Sequence, residues 1–197
     1  MIKKIRIVSL ILFIVAIMFH GNSLFAQNSQ LSIQNTFIPS GYMGDGEYSG
    51  SDYIKFDGAY TNNPHSEPDC IKIEYKFGPH KWGGIYWQNR ADNWGKFPPK
   101  NLSKRNFTKV VFWVKGEKGN EKVEFKSGGI YDKKYKFYDS YNVSIGRVSL
   151  STDWQKYEIN LKDEDLSSVI GGFCWVVSQD FNSDKKIVFY IDDIIFE

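Results

Sequence analysis

The chain has 197 residues, with 25 Lys+Arg against 23 Asp+Glu, and aromatic residues make up 17% of it. Charges this evenly balanced give no electrostatic drive toward nucleic acid or an anionic membrane surface. His65 and His80 flank no metal-spaced partner, which weighs against a structural zinc site or a His-rich catalytic metal centre.

In chain order, the first element is an N-terminal targeting signal. Lys3, Lys4 and Arg6 form a basic start, residues 7–19 are apolar apart from Ser9, and Ser23-Leu-Phe-Ala26 precedes Gln27. This is the pattern of a secretory signal peptide over 1–26, cleaved near Ala26. Its 13-residue apolar core is short of the ~20 residues that a spanning helix needs. The protein is therefore expected to be secreted, outside the cell or into a periplasm. Without Lys3, Lys4 and Arg6, 22 basic residues face 23 acidic ones, a net charge of −1. Of the 33 aromatics, 30 remain after residue 26, an excess that calls for an explanation.

Residues 27–36 read as a polar, flexible leader, and 37–197 as one domain without internal repeat, low-complexity tract or linker. Within it the period is two. In Cys70–Phe77, Ile71, Ile73, Tyr75 and Phe77 alternate with Lys72, Glu74 and Lys76, which is a half-buried strand. Residues 109–115 are apolar on both faces, with Val110, Phe112 and Val114 opposite Val111 and Trp113. Over 121–126, Val123 and Phe125 alternate with Glu124 and Lys126. Further strands are expected at 53–56, 84–88, 141–150, 155–161, 172–177 and 187–196. Turn-forming clusters separate them at 62–68, 96–100, 117–120 and 182–184. One short helical segment is expected at 162–169, capped by Asp163. About nine short strands without crossover helices make an all-β antiparallel sandwich, whose edges are best managed as a jelly roll.

The Phe189-Tyr-Ile-Asp-Asp-Ile-Ile-Phe-Glu197 segment resembles the closing strand of carbohydrate-binding modules with the galactose-binding-like β-sandwich. The same resemblance extends over the early Ser40-Gly-Tyr-Met-Gly-Asp45 segment, Trp82-Gly-Gly-Ile-Tyr-Trp-Gln88, Asn93-Trp-Gly95, Phe112-Trp-Val-Lys-Gly116 and Trp154-Gln-Lys-Tyr157. It covers about residues 37–197. It implies a secreted, non-catalytic protein, expected to be a monomer, that binds a polysaccharide or glycan. A pyranose offers an apolar C–H face fringed by hydroxyls, so its site combines rigid aromatic platforms with amide and carboxylate hydrogen-bonders.

Residues 82–95 supply that mixture. The ligand-binding candidates are Trp82, Tyr86, Trp87, Gln88, Asn93 and Trp94, joined by Trp113 and Glu124. Alternation separates Ile85 and Trp87 from Tyr86 and Gln88, so both pairs cannot line one surface. Tyr86 and Gln88 are read as outward, and Trp87 stands between core and site. Trp94, in a loop between Asn93 and Gly95, is the leading platform. Gly83 and Gly84 would let a ligand or a neighbouring strand approach closely.

The resemblance also implies one structural Ca²⁺ near the terminal strands, with Asp192 or Asp193 as ligand. By alternation those two carboxylates point to opposite faces. Partners would come from Asp45 and the rest of 44–47, or from Asp52 and Asp57. The competing reading is an aspartate that bonds nearby backbone N–H groups. Cys70 and Cys174, an even count in an oxidising compartment, form either a disulfide or two buried thiols in apolar strands. The alternative functions are a small glycoside hydrolase or polysaccharide lyase, with Glu74 and Glu124 facing each other as its carboxylates, and a structural or adhesive protein whose aromatics are all core.

Overall fold

The alternation in the sequence becomes a pair of sheets in the computed structural model, which describes residues 30–45 and 53–197. The signal peptide expected at 1–26 lies outside the described residues. The chain runs through β1 (Leu31–Ser32), α1 (Ile33–Thr36), β2 (Ile38–Gly44), β3 (Ile54–Tyr60), β4 (Cys70–Lys76) and β5 (Trp82–Gln88). A single 3₁₀ turn (Ser103–Arg105) precedes β6 (Lys109–Gly116), β7 (Lys122–Gly128), β8 (Asn142–Ser149), β9 (Gln155–Asn160), β10 (Gly171–Ser178) and β11 (Lys186–Phe196). Among the described residues no helix is long and apolar enough to cross a membrane.

Every strand pairing is antiparallel. One sheet has the order β3-β4-β11-β6-β9, with β1 also paired to β11, and the other has the order β2-β5-β10-β7-β8. The chain switches repeatedly between the two, as a jelly-roll sandwich requires. The inner faces meet over an aromatic core in which Trp87, Trp175, Tyr75, Phe112, Phe125, Phe173, Phe189 and Phe196 are fully buried. Phe112 of one sheet meets Phe125 and Phe173 of the other, with ring centroids 4.7 and 5.0 Å apart. Rings at such distances add about 0.5–1.5 kcal/mol per pair beyond the area they bury. The aromatic excess is therefore first a property of the core. A Cβ at Gly83 would lie 2.4 Å from Tyr75 Cε2, so a core ring of the facing sheet takes the space that this glycine leaves.

Two expectations are corrected, and an open alternative is decided. The leader does not extend to residue 36: Leu31 and Ser32 pair with Phe196 and Ile195, and Ile33 is fully buried in the core. The polar composition of the segment hid one apolar anchor. The helix expected at 162–169 is an irregular loop. Asp163 takes a left-handed backbone, with φ 71°, and Asp165 accepts from Ser167 N at 2.9 Å, a local bond that competes with helical pairing. Buried Leu166 and Val169 anchor it, and Val169 bridges to Lys100.

The cysteines are free thiols, not a disulfide. Cys70 packs with Val188 and Tyr190 on the outer face of the six-stranded sheet, and Cys174 packs with Tyr86 and Ile130 on the outer face of the other. The sandwich between them is about 10 Å thick or more, beyond disulfide reach.

Candidate functional site

The outer face of the five-stranded sheet follows from strand register. One row across it runs Gly41, Tyr86, Cys174, Lys126 and Ser144, and the next runs Met43, Gly84, Val176, Glu124 and Arg147. The β2–β5–β10 end is apolar, whereas the β7–β8 end is polar. Two loops rise at the apolar end, residues 89–98 after β5 and residues 129–141 after β7. Between them and the sheet lies a cleft of about 540 Å³, lined by Met43, Tyr86, Trp94, Gly129, Ile130, Tyr131, Asp132 and Lys133. Its size falls in the range of small-ligand sites, about 300–1,000 Å³.

The first loop is held from within. Asn93 is fully buried: its Oδ1 accepts from Gly95 N (3.1 Å) and Phe97 N (3.0 Å), and its Nδ2 donates to Asn89 Oδ1 (2.8 Å) and Phe97 O (3.0 Å). Gln88, also fully buried, donates from Nε2 to Asn93 O at 3.0 Å and accepts from Ser40 Oγ at 2.8 Å. These two amides are fully buried and bonded within the protein, and they form the scaffold that presents Trp94. Trp94 stands half-buried, perpendicular to Tyr86 with centroids 6.0 Å apart. Tyr86 lies below it, donating its hydroxyl to Gly128 O at 3.1 Å. Gly95 is held at φ +107°, and a Cβ there would lie 2.3 Å from Phe137 O, so only glycine lets the two loops meet.

The second loop is anchored by Asp139, which is 9% exposed. Its carboxylate accepts from Ile130 N at 2.8 Å, from Ile170 N, and from Gly171 N at 3.2 Å, tying the loop to the start of β10. Burial pushes this carboxyl up to about 6, against the pull of the three amides. Burial likewise raises the Cys174 thiol at the base of the face. Above them Tyr131 is 64% exposed and meets Tyr138 edge-on at 5.8 Å. Sequence reasoning missed Tyr131. The signal was available, since residues 131–138 interleave aromatic and charged residues just as 82–95 do.

The structure thus brings Tyr86 and Trp94 together and adds Met43 and Tyr131. Trp82 shares the Tyr86 face of β5 by alternation but lies four residues away, about 14 Å along the strand. Glu124 is on the same sheet face, paired with Lys126 at 3.2 Å and accepting from Ser144 Oγ at 2.8 Å. Trp87 is core, 1% exposed and edge-on to Phe173. Trp113 belongs to the other sheet, where His65 stacks on it with centroids 3.8 Å apart. Glu74 is also in that other sheet, paired with Lys72 and Lys186, so it does not face Glu124.

Asp192 and Asp193 do not point to opposite faces. A bulge in β11, with Asp193 at φ 50°, breaks the alternation and turns both carboxylates to the 65–66 segment. Asp192 accepts from His65 N and Ser66 N, both at 3.0 Å, and from Asp193 N at 2.8 Å. Asp193 meets His65 Nδ1 at 2.7 Å and Ser66 Oγ at 2.6 Å. Asp45, on β2's sheet, accepts from Lys81 N at 2.9 Å. A Ca²⁺ site needs six to eight converging oxygens, whereas these carboxylates face N–H and O–H donors. No group of three or more metal-ligating side chains occurs among the described residues. The residues present do not fit the ion, while Glu47 and Asp52 lie outside the described residues.

No protein-family model matches the chain, and no curated protein matches it in sequence. Solved structures do. A family 30 carbohydrate-binding module aligns over 85% of this chain and 98% of its own, with 17% identity and a TM-score of 0.53. A second structure of a family 30 module aligns over 81% and 82%, at 20% identity and 0.52. The family 30 module of a cellulosomal cellulase of Clostridium thermocellum aligns over 85% and 96%, at 19% identity and 0.52. These likenesses are of fold, and they agree with the jelly-roll sandwich described above.

Proposed function

We propose that this protein is a secreted, non-catalytic carbohydrate-binding protein that holds a glycan in the cleft on the five-stranded sheet. One observation carries the reading: Trp94 and Tyr131 present aromatic surface at a cleft of about 540 Å³, on rigid, internally bonded loops. A sugar ring stacks on such a surface through its C–H face, and ordered loops lower the entropy lost on binding. The module fold of the structural neighbours supports the same reading, as does the basic–apolar pattern of residues 1–26 for secretion. The hydrolase alternative loses the carboxylate pair on which it rested, because Glu74 and Glu124 belong to different sheets.

The test is a glycan array followed by affinity electrophoresis with Trp94→Ala. Retardation by at least one polysaccharide is expected. The variant should lose it by about 30-fold or more, the size of a buried aromatic anchor, with no release of reducing ends. A chain that binds no glycan, or a Trp94→Ala variant that binds as well as the parent, would overturn the proposal.

A further inference from the structure

We propose that the glycan held in this cleft is anionic, carrying carboxylate or sulfate groups that meet a lysine rim; this rests on the carbohydrate-binding reading above. The two loops that form the cleft are basic, although the chain as a whole is nearly balanced. Residues 129–141 carry Lys133, Lys134 and Lys136 against Asp132 and Asp139, and residues 89–98 carry Arg90 and Lys96 against Asp92. That is five positive charges against three negative, and one of the three, Asp139, is buried and bonded to the amides of Ile130, Ile170 and Gly171. Asp132 is turned back onto its own loop, where its Oδ1 accepts from Lys134 N at 2.9 Å.

None of Lys96, Lys133, Lys134 and Lys136 forms an ion pair among the described residues. Two of them are placed by aromatic rings. Lys96 Nζ lies over Tyr135 at 5.6 Å from the centroid, and Lys136 Nζ over Phe137 at 5.3 Å. Lys133 lines the cleft itself, beside Tyr131. Clustered like charges repel one another. A neutral sugar hydroxyl would accept a hydrogen bond from these ammonium groups but bring no opposite charge to them. A carboxylate or sulfate would add the direct attraction of opposite charges to those bonds. The division of labour is then complete: Trp94 and Tyr131 take the apolar face of a ring, and the lysines take the acidic substituent at its edge. Nucleic acid is also a stacking polyanion, but 25 basic against 23 acidic residues leave little net charge to draw a long phosphate backbone.

The experiment measures binding of the full chain to polygalacturonate and alginate (carboxylate), carrageenan (sulfate), carboxyl-reduced polygalacturonate (neutral), hydroxyethylcellulose (neutral) and a single-stranded oligo(dT). At about 20 mM salt the preferred acidic polymer should bind about tenfold or more tighter than the neutral ones, and that margin should collapse by about 500 mM, where screening acts within a few ångströms. Whether carboxylate or sulfate polymers lead identifies the anionic group. Lys133→Ala combined with Lys134→Ala, both at exposed positions, should erase the margin and leave the melting midpoint unchanged. Tighter or equal binding of the neutral polymers, lost in Trp94→Ala, would overturn the anionic preference and leave the carbohydrate reading standing. Binding of oligo(dT) as tight as that of the acidic polysaccharides would also overturn it. Absence of binding to every polysaccharide would sink both.

Discussion

The outer faces of the two sheets both carry aromatic residues, and they use them in opposite ways. On the six-stranded sheet the residues 61–69 fold back over the face. His65 stacks on Trp113 with an interplanar angle of 18°, and Trp154 donates from its indole nitrogen to Asn63 O at 3.2 Å. Lys115 Nζ sits between Trp154 and Tyr190, 4.9 and 5.0 Å from their centroids. These rings already have partners supplied by the chain. On the five-stranded sheet the flanking loops spend their bonds on themselves and leave Trp94 and Tyr131 standing at an open cleft. An aromatic ring on a sheet surface is thus a platform only where the protein has not already stacked something on it.

The comparison breaks most forcefully at Asp192. This carboxylate is 3% exposed and accepts from the amides of His65, Ser66 and Asp193. Asp192→Ala would leave those donors without a partner, at a cost of about 2–4 kcal/mol in unfolding free energy. The 61–69 cover should loosen and Trp113 fluorescence should become accessible to a quencher, with glycan affinity unchanged. A variant that keeps parental stability would show that the clasp does not hold the cover down.

The counterpart on the cleft side is Asp139, and its signature is a pH profile. Its carboxyl is raised to about 6 in the folded protein, by burial. The folded state therefore holds this proton more tightly than the unfolded chain does. Asp139's contribution is most favourable below pH 4, declines as pH rises from about 4 to 6, and is constant above that. Other acids, Glu74 among them, are shifted down and act in the opposite sense, so the test is the difference from Asp139→Asn, which does not titrate. Stability of the variant relative to the parent should improve by on the order of 2–3 kcal/mol between pH 4 and pH 7. A difference that does not change with pH would refute the raised carboxyl.

The pair Trp94→Ala and Trp113→Ala tests the contrast directly. The first should lower glycan affinity by about 2 kcal/mol or more and change stability little. The second should leave affinity intact and lower stability, since it removes the floor on which His65 stacks. If both variants lose affinity, the covered face binds as well.

What the sequence disclosed follows the same division. Strands were legible wherever one face is buried, as in Ile71, Ile73 and Tyr75, because burial on one side imposes a period of two. Periodicity identifies a face but not the sheet to which it belongs, so Trp113 and Glu74 were grouped with residues on the opposite side of the molecule. Gln88 and Asn93, expected to bond a ligand, are buried and bond their own loop. Residue type alone does not say whether the partner is a sugar or the residue's own loop. The bulge at Asp193 was hidden because β11 is apolar on both phases, and an extra residue there leaves no break in the pattern.

The smallest effect is expected at the cysteines, and it separates the two faces chemically. Burial pushes the Cys70 thiol up to about 11 and the Cys174 thiol higher still, so neither supplies thiolate at neutral pH. A reductant should leave the melting midpoint unchanged, because no disulfide spans the sandwich. Thiol titration should find both groups unreactive in the folded protein and both reactive after denaturation. Cys174 lies beneath the cleft cluster of Tyr86 and Ile130, whereas Cys70 lies with Tyr190 under the covered face. Loosening the 61–69 cover through Asp192→Ala should therefore speed labelling of Cys70 alone. Equal acceleration at Cys174 would mean that the two faces do not loosen independently and that the sandwich opens as one unit.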